Sequence, residues 1–290
     1  MNRPAVLYAL LLLMVAFWSG NYIAGKIALR EFPALLLAGV RIGLAGVMML
    51  PVYAISRGEP RASASGAVHL LLLGLLGVTL NQVFFVIGLS RTSVAHSALI
   101  IGLTPVLVLI LAGLRGLEKI TPRKAGGMAL ALAGVAVLSA FKPAATGEAT
   151  WLGDFFILLA ALCFALFTVF GKEVTTQYSS VTVNTFAYLG GGVALLPLTV
   201  WQAGRHPLTN ISTAAWLSAI YMAMFPSVIA YLIYYHALTH VAASRVAAFS
   251  YLQPVFALAL GFAILHERVD APVIAGGLVI LAGVCLAERG

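Results

Sequence analysis

The sequence predicts an all-α polytopic membrane protein, with ten transmembrane helices arranged as two inverted repeats of five. Three observations support this fold class. The 290 residues are 62% hydrophobic and only 9% charged, whereas soluble domains carry about 25% charged residues. Apolar runs recur at lengths close to the roughly 20 residues that a helix needs to cross a bilayer. The second half of the chain also repeats the pattern of the first half.

The apolar runs are predicted to be helices because barrel strands would alternate polar and apolar residues over about ten positions. The first run follows Arg3 and reaches Lys26 without a convincing cleavage site, so we expect a span rather than a signal peptide. The segments between runs are short and carry most of the charge. The ten predicted spans are residues 5–26, 34–55, 68–89, 94–115, 124–141, 153–173, 181–201, 215–237, 244–265 and 271–287.

Two stretches with the same layout reveal the repeat. "LTPVLVLILAGLRGLEKI" in span 4 and "LQPVFALALGFAILHERV" in span 9 place Pro105 and Pro254 at an offset of 149 residues. "GKIALREF" in the first half and "GKEVTTQY" in the second half correspond at an offset of 146. We therefore divide the chain into one membrane domain with two repeats, residues 1–144 and 145–290, each holding five spans.

An odd number of spans per repeat determines the relative orientation of the halves. Each repeat begins on one side of the membrane and ends on the other, so the second repeat is inverted relative to the first. Inverted repeats are typical of secondary transporters, whose substrate site lies near the membrane midplane between the repeats. More Lys and Arg residues fall on the side of the two termini, which predicts that both termini are cytoplasmic.

The prolines of spans 4 and 9 are expected at mid-span, inside kinked helices. A proline within a helix removes a backbone hydrogen bond, and in hydrocarbon an unpaired carbonyl is tolerated only where protein or a watery cavity satisfies it. A simple packing kink is the alternative. Because Thr104 and Gln253 precede Pro105 and Pro254, we favour a polar cavity with the two prolines as hinges. Glu118 and Glu267, 13 residues further on, are expected at the membrane interface.

Polar and aromatic side chains occur at related positions of spans 1, 3, 4, 6, 8 and 9. Each aromatic residue alone could belong to the core or to an interfacial belt, and the amides could join neighbouring helices. Their convergence near the prolines instead favours a substrate site. The candidate substrate-binding residues are Trp18, Asn21, Tyr22, Asn81, Gln82, Phe85, Thr104, Phe164, Thr168, Tyr231, Tyr234, Tyr251 and Gln253.

Arg41 lies about a third of the way into span 2, where it could either reach the interface or hold an anion. We favour a snorkelling or structurally paired arginine over the anion-binding role. His96 is close to the start of span 4 and is expected to be structural.

The carboxylates all fall in loops or near span ends. A proton-coupled exporter of organic cations would require an acid buried at mid-span, and none is predicted. Cys163 and Cys285 lie in apolar runs, which indicates packing rather than a disulfide or a metal site. The motifs HExxH and GxSxG are absent from the sequence. We therefore expect no enzyme activity, no cofactor and no bound metal.

Several stretches together resemble the drug/metabolite transporter superfamily, and specifically its EamA-type branch. These are "AFWSGNYIAGKIAL" in span 1, the paired "TPVLVLILAGLRGLEK" and "QPVFALALGFAILHER", and "AGGLVILAGVCL" in span 10. The resemblance implies ten helices in two inverted repeats and a multi-pass carrier of the bacterial inner membrane, often an exporter of amino acids or related metabolites. It also implies a central cavity walled by spans 1, 3, 4, 6, 8 and 9.

The predicted function is a secondary transporter that moves a small neutral, zwitterionic or weakly anionic organic solute. Aromatic faces would hold an ammonium group by cation–π contact. An exporter of lipophilic drugs is the alternative within transport, and an intramembrane lipid-modifying enzyme is the alternative from another class. The expected partners are a small-molecule substrate and the lipid bilayer, with the protein as a monomer. Despite a net charge of +8, the basic residues are scattered among the loops, so no nucleic acid is expected.

Overall fold

The computed structural model describes residues 3–56, 64–116, 121–140, 150–174, 177–240, 246, 249–266 and 269–288. Within these residues the chain is all-helical and contains no strand. Helical segments occupy the ten predicted spans. Seven of them are long and apolar enough to cross a membrane, and two shorter apolar helices lie near the C-terminus. The chain is therefore an all-α, multi-pass membrane protein.

The observed helices agree with the predicted spans to within a few residues over most of the chain. Spans 1 to 5 comprise Arg3–Ala28; Ala34–Ile55; Ala64–Gly74, Leu75–Leu80 and Asn81–Leu89; Val94–Ile101 and Thr104–Leu114; and Pro122–Ala140. Spans 6 to 10 comprise Trp151–Val174; Ser180–Arg205; Thr213–Met222, Ala223–Ile229 and Ala230–His240; Phe249–Leu252 and Gln253–Leu265; and Ala271–Glu288. Span 7 continues four residues further than predicted, and span 9 is described at Val246 and from Phe249 onward.

Pro105 and Pro254 lie at the starts of α-helices rather than inside kinked helices, which corrects the predicted position of the prolines. The α-helix of span 4 ends at Ile101 and a new helix begins at Thr104, so Pro105 lies in a first turn. Pro254 has the same position at the start of Gln253–Leu265. A proline in a first turn loses no intrahelical bond, because its N–H would have no partner there. The predicted glutamates Glu118 and Glu267 lie outside the described residues.

Spans 3 and 8 each contain a π-helical segment that the sequence did not predict. The segments are Leu75–Leu80 and Ala223–Ile229, which overlap at the repeat offset of 149 residues. In the second segment the Ser227 hydroxyl donates to the carbonyl oxygen of Met222, five residues earlier, at 2.8 Å. Single π-helical turns inside α-helices are frequent at functional sites, because they shift the register of the following side chains.

The helices pack mostly across the boundary between the two halves. Span 2 packs against span 7, span 5 against span 10, and span 4 against span 9, so these predicted repeat mates are neighbours. Span 1 contacts span 8, and span 3 contacts span 6. The close approach of Gly39 to Thr199 and of Gly46 to Tyr188 shows that spans 2 and 7 run antiparallel. This packing is what inverted repeats require, although the repeat boundaries themselves stay a prediction.

Spans 5 and 10 approach each other closely at two glycines. A Cβ atom added to Gly134 would lie 2.7 Å from the backbone nitrogen of Ile280. A Cβ atom added to Gly283 would collide with the backbone nitrogen of Ala131. Small residues permit such close helix contacts in membranes, where packing replaces the hydrophobic effect as the source of association.

The loops opposite the N-terminal end of span 1 are tied together in pairs. Glu31, between spans 1 and 2, accepts hydrogen bonds from the backbone N–H of Ser212 at 2.5 Å and from its hydroxyl at 2.6 Å. Thr150, before span 6, donates its backbone N–H and its hydroxyl to the Arg91 carbonyl oxygen, each at 2.9 Å. These contacts place four loops at one end of the bundle.

A buried polar cluster lies beside these loops at the start of span 6. The Asp154 carboxylate accepts from the Thr92 hydroxyl at 2.6 Å and lies 3.1 Å from Nδ1 of His96. Both His96 and Asp154 are buried. Asp154 is near a span end, as predicted, and His96 connects span 4 to span 6. The predicted structural role of His96 agrees with this arrangement.

Candidate functional site

A cavity lies where spans 1, 2, 3, 4, 6, 8 and 9 meet. It contains about 530 Å³ of empty space, part of which is open to the surroundings. Ten of the thirteen candidate substrate-binding residues line it, together with Arg41 and Ile101. The lining residues are Trp18, Asn21, Tyr22, Arg41, Asn81, Gln82, Phe85, Ile101, Thr104, Phe164, Tyr231 and Gln253.

The π-helical segment of span 3 positions the amides of the cavity wall. Asn81 and Gln82 follow this segment directly and are both buried. The Asn81 side chain donates to the carbonyl oxygen of Ala160 in span 6 at 2.8 Å, which fixes its orientation. The Gln82 side chain lies beside the Tyr231 hydroxyl. These contacts connect span 3 to spans 6 and 8 on either side of the cavity.

Four aromatic rings from spans 1, 6 and 8 pack together as an aromatic cluster, and all of them except Tyr234 line the cavity. The ring of Trp18 lies 5.7 Å from Phe164, 6.0 Å from Tyr231 and 5.6 Å from Tyr234, measured between centroids. The Trp18 indole N–H donates to the carbonyl oxygen of Pro226 at 3.0 Å, inside the π-helical segment of span 8. Edge-to-face packing of this kind holds the rings in fixed orientations.

The broken helices supply polar groups at the two related positions. The Thr104 hydroxyl donates to the Ile101 carbonyl oxygen at 2.6 Å, so the helix break is satisfied from within span 4. Gln253 is the equivalent residue of span 9, and its side-chain oxygen lies 3.5 Å from the Tyr22 hydroxyl. That distance is long for a hydrogen bond between oxygens, so the Gln253 amide remains available to another partner.

Two described candidate residues, Thr168 and Tyr234, do not line the cavity, and a third candidate has a side chain that the structure does not describe. The Thr168 hydroxyl lies 2.8 Å from the Tyr234 hydroxyl, and both residues are buried behind Phe164 and Trp18. Tyr234 therefore belongs to the aromatic cluster without lining the cavity, and Thr168 contacts its hydroxyl. The third residue, Tyr251, belongs to the 3-10 turn Phe249–Leu252, and its side chain lies outside what the structure describes.

The snorkelling form of the Arg41 prediction is wrong, because the side chain turns inward, whereas structural pairing agrees with its hydrogen bond to span 8. It is 1% exposed and lines the cavity. Its Nε donates to the Ser227 hydroxyl at 3.0 Å, whereas its Nη1 has no hydrogen-bond partner. The sequence offers one signal for an arginine that lines the cavity: no acid is predicted at mid-span that could pair with Arg41. Ile101 was also missed, because nothing distinguishes it from other apolar residues in the sequence.

The described polar residues of the cavity include a positive charge without a matching negative charge. Among the described lining residues there is one cation and no carboxylate. The side-chain oxygen of Asn21 is buried without a partner, as is Arg41 Nη1. The described residues also contain no group of three His, Cys, Asp or Glu side chains that could hold a metal ion. This arrangement can enclose a small solute and exchange hydrogen bonds with it.

Comparison with known proteins identifies the family. The EamA-like transporter family matches residues 5–140 and again residues 151–288. A protein of Archaeoglobus fulgidus named as an uncharacterized transporter is 31% identical over 281 residues, which cover 96% of each chain. A probable terminal-alkyne amino-acid exporter of Streptantibioticus cattleyicolor is 28% identical over 280 residues, covering 96% of this chain and 92% of that protein.

A solved crystal structure shows the same fold at low sequence identity. It superposes with a TM-score of 0.69 at 16% identity and covers 98% of this chain and 97% of its own. The fold, the two family matches and the transporter relatives agree with the resemblance seen in the sequence. This protein belongs to the EamA-like transporter family, within the drug/metabolite transporter superfamily.

Proposed function

We propose that the protein exports a small organic metabolite, an amino acid or a related neutral or zwitterionic solute, by alternating access around the cavity. The observation that carries this proposal is the convergence of polar and aromatic side chains from both halves of the chain on one cavity. The relative named as a probable amino-acid exporter supports the substrate class and the direction. We place the protein in the inner membrane of a bacterium with both termini in the cytoplasm.

The geometry supports a simple division of roles. Spans 1 and 3 present Trp18, Asn81 and Gln82 to the solute, while spans 6 and 8 present Phe164 and Tyr231. Rocking of one half against the other would expose these residues to each side in turn. The helices that contain Pro105 and Pro254 begin one residue before each proline, so bending there would break no hydrogen bond within those helices.

The test is solute exchange in proteoliposomes loaded with one labelled solute at a time. A panel of amino acids, neutral metabolites and lipophilic cations distinguishes metabolite transport from drug export. We expect accelerated exchange of at least one amino acid or related solute. Exchange of lipophilic cations alone would favour the alternative drug exporter and contradict the proposed substrate class.

Gln82→Ala connects the exchange assay to the cavity. A buried hydrogen bond contributes about 0.5–1.5 kcal/mol net, so the affinity for the exchanged solute should fall by about threefold to tenfold. Gln202→Ala is the matched control, because this amide lies near the end of span 7 and does not line the cavity. If Gln82→Ala exchanges with wild-type affinity while the control is also unchanged, the solute binds elsewhere.

A further inference from the structure

Arg41 and Asn21 both line the cavity, and each has a buried side-chain atom without a hydrogen-bond partner among the described residues. Arg41 is 1% exposed and Asn21 is 7% exposed, so neither group is hydrated as it would be at the surface. Arg41 Nη1 is a donor without an acceptor, and Asn21 Oδ1 is an acceptor without a donor. Buried polar groups in native proteins normally have partners, and a group that lacks one requires an explanation. Both residues line the same cavity. A ligand bound in this cavity would supply the missing hydrogen-bond partners.

The surroundings of Arg41 contain hydroxyl groups and no described counter-charge. Ser227 of span 8 accepts from Arg41 Nε, and Tyr188 of span 7 and Tyr231 of span 8 lie nearby. Among the described residues, no carboxylate lies within 4.0 Å of the guanidinium, and the contact between His96 and Asp154 lies elsewhere, between spans 4 and 6. An uncompensated cation at membrane depth is costly and marks a functional site by default.

The chemistry of the two unpartnered atoms is complementary to one head group. A guanidinium with a free N–H binds a carboxylate through charge-assisted hydrogen bonds, often with two at once. An amide oxygen accepts a hydrogen bond from an ammonium group. We propose that Arg41 binds the carboxylate and Asn21 Oδ1 binds the ammonium of an α-amino acid, whose side chain lies among the aromatic rings. This inference rests on the proposed function and assigns the head-group contacts within it.

Four probes that share one side chain test the assignment. L-Phenylalanine carries both charges, L-phenylalaninamide lacks the carboxylate, 3-phenylpropionate lacks the ammonium, and phenethylamine lacks the carboxyl group altogether. Binding to the purified full-length chain in detergent is measured by isothermal titration calorimetry. Because charge-assisted hydrogen bonds are involved, we expect phenylalanine to bind at least about tenfold more tightly than each of the other three.

The variants then assign each charge to its residue. Arg41→Gln keeps a group that can hydrogen-bond to Ser227 but removes the charge, so it should bind phenylalanine and phenylalaninamide within about threefold of each other. Asn21→Ala should bind phenylalanine and 3-phenylpropionate with affinities that also lie within about threefold of each other. Arg205→Gln is the matched control, because Arg205 is exposed at the end of span 7 and contacts Trp201. It should retain the wild-type order.

The wild-type series decides the matter even if a variant fails to fold. Equal affinity of the wild type for phenylalanine and phenylalaninamide, or binding of none of the four probes, would overturn the head-group assignment. The proposed function would then be judged separately by the exchange assay with neutral solutes, since a carrier of neutral metabolites would still pass it. Wild-type discrimination that persists in Arg41→Gln would also overturn the role given to Arg41.

Discussion

At the scale of single residues, Glu31 shows how one exposed carboxylate joins two distant loops. It accepts two hydrogen bonds from Ser212, the residue that caps the first helix of span 8. These hydrogen bonds lower the pKa of the Glu31 carboxyl below its usual value. A carboxylate near a helix N-terminus is also favoured by the helix dipole. The contact therefore contributes stability in the charged state of Glu31.

We expect Glu31→Gln to lower the thermal unfolding temperature in detergent at neutral pH. Because the folded-state pKa of Glu31 is lowered, its contribution is present above the ordinary carboxyl pKa, about 4.3. It is lost as the pH falls through the lower folded-state value. The difference between wild type and variant should therefore shrink at acidic pH. A difference that is the same at pH 7 and at pH 3 would show that the charge of Glu31 is not what stabilises the contact.

The residue scale also separates what the sequence could predict from what it could not. Amides and aromatic residues at membrane depth are conspicuous in so apolar a chain, and nine of the predicted ones, together with Thr104, line the cavity. Arg41 was assigned differently because its long side chain could reach either the interface or the interior. Thr168 and Tyr234 share a helix face with cavity residues, and only the packing shows that they lie behind it.

At the scale of elements, the contact between spans 5 and 10 depends on Gly283. We expect Gly283→Ala to destabilise the protein by about 1–3 kcal/mol, the usual cost of overpacking, because its new methyl group would meet backbone atoms of Ala131. Backbone atoms cannot move aside as a flexible side chain can. Thermal unfolding in detergent measures the effect, with Gly126→Ala in span 5 as the control, since nothing lies within 4 Å there. Equal unfolding temperatures for the two variants would contradict close packing at Gly283.

The helix break in span 9 should affect motion more than binding. In Pro254→Ala the proline ring no longer prevents the α-helix from extending towards residue 250, and in the extended helix the new N–H could donate to the Ser250 carbonyl oxygen. We therefore expect the exchange rate to fall by a larger factor than the affinity for the exchanged solute. The control is Pro197→Ala, because Pro197 is an exposed proline inside span 7. Similar rates for both variants and wild type would show that the break at Pro254 serves packing only.

The irregular elements mark the limit of prediction from the sequence at this scale. Repeated prolines indicated an interruption in spans 4 and 9. In span 4 the α-helix stops and restarts, because Gly102 and Leu103 lie outside both α-helices. The π-helical segment Leu75–Leu80 contains no proline and has the composition of an ordinary apolar helix. This segment contacts spans 6 and 7, and contacts between distant parts of the chain are not visible in a local sequence pattern.

At the scale of the whole molecule, the architecture could be predicted because it follows from two counts. These are the number of apolar runs in the chain and the odd number of spans in each repeat. The structure adds that spans 2 and 7 run antiparallel beside each other. Pro33 at the start of span 2 and Gln202 at the end of span 7 also line one shared surface pocket. The C-terminal end of span 2 and the C-terminal end of span 7 must therefore face opposite sides of the membrane. The sidedness itself rests on the Lys and Arg distribution.

Cysteine labelling in intact cells tests both the inversion and the orientation. Ser56→Cys at the end of span 2 and Gly204→Cys at the end of span 7 are introduced singly into a chain whose Cys163 and Cys285 are replaced by alanine. With cytoplasmic termini, a membrane-impermeant maleimide should label the cysteine at 204 from outside. It should label the cysteine at 56 only after the membrane is permeabilised. The reverse pattern would retain the inverted repeats and place the termini outside, whereas labelling of both positions from one side would contradict the inverted architecture.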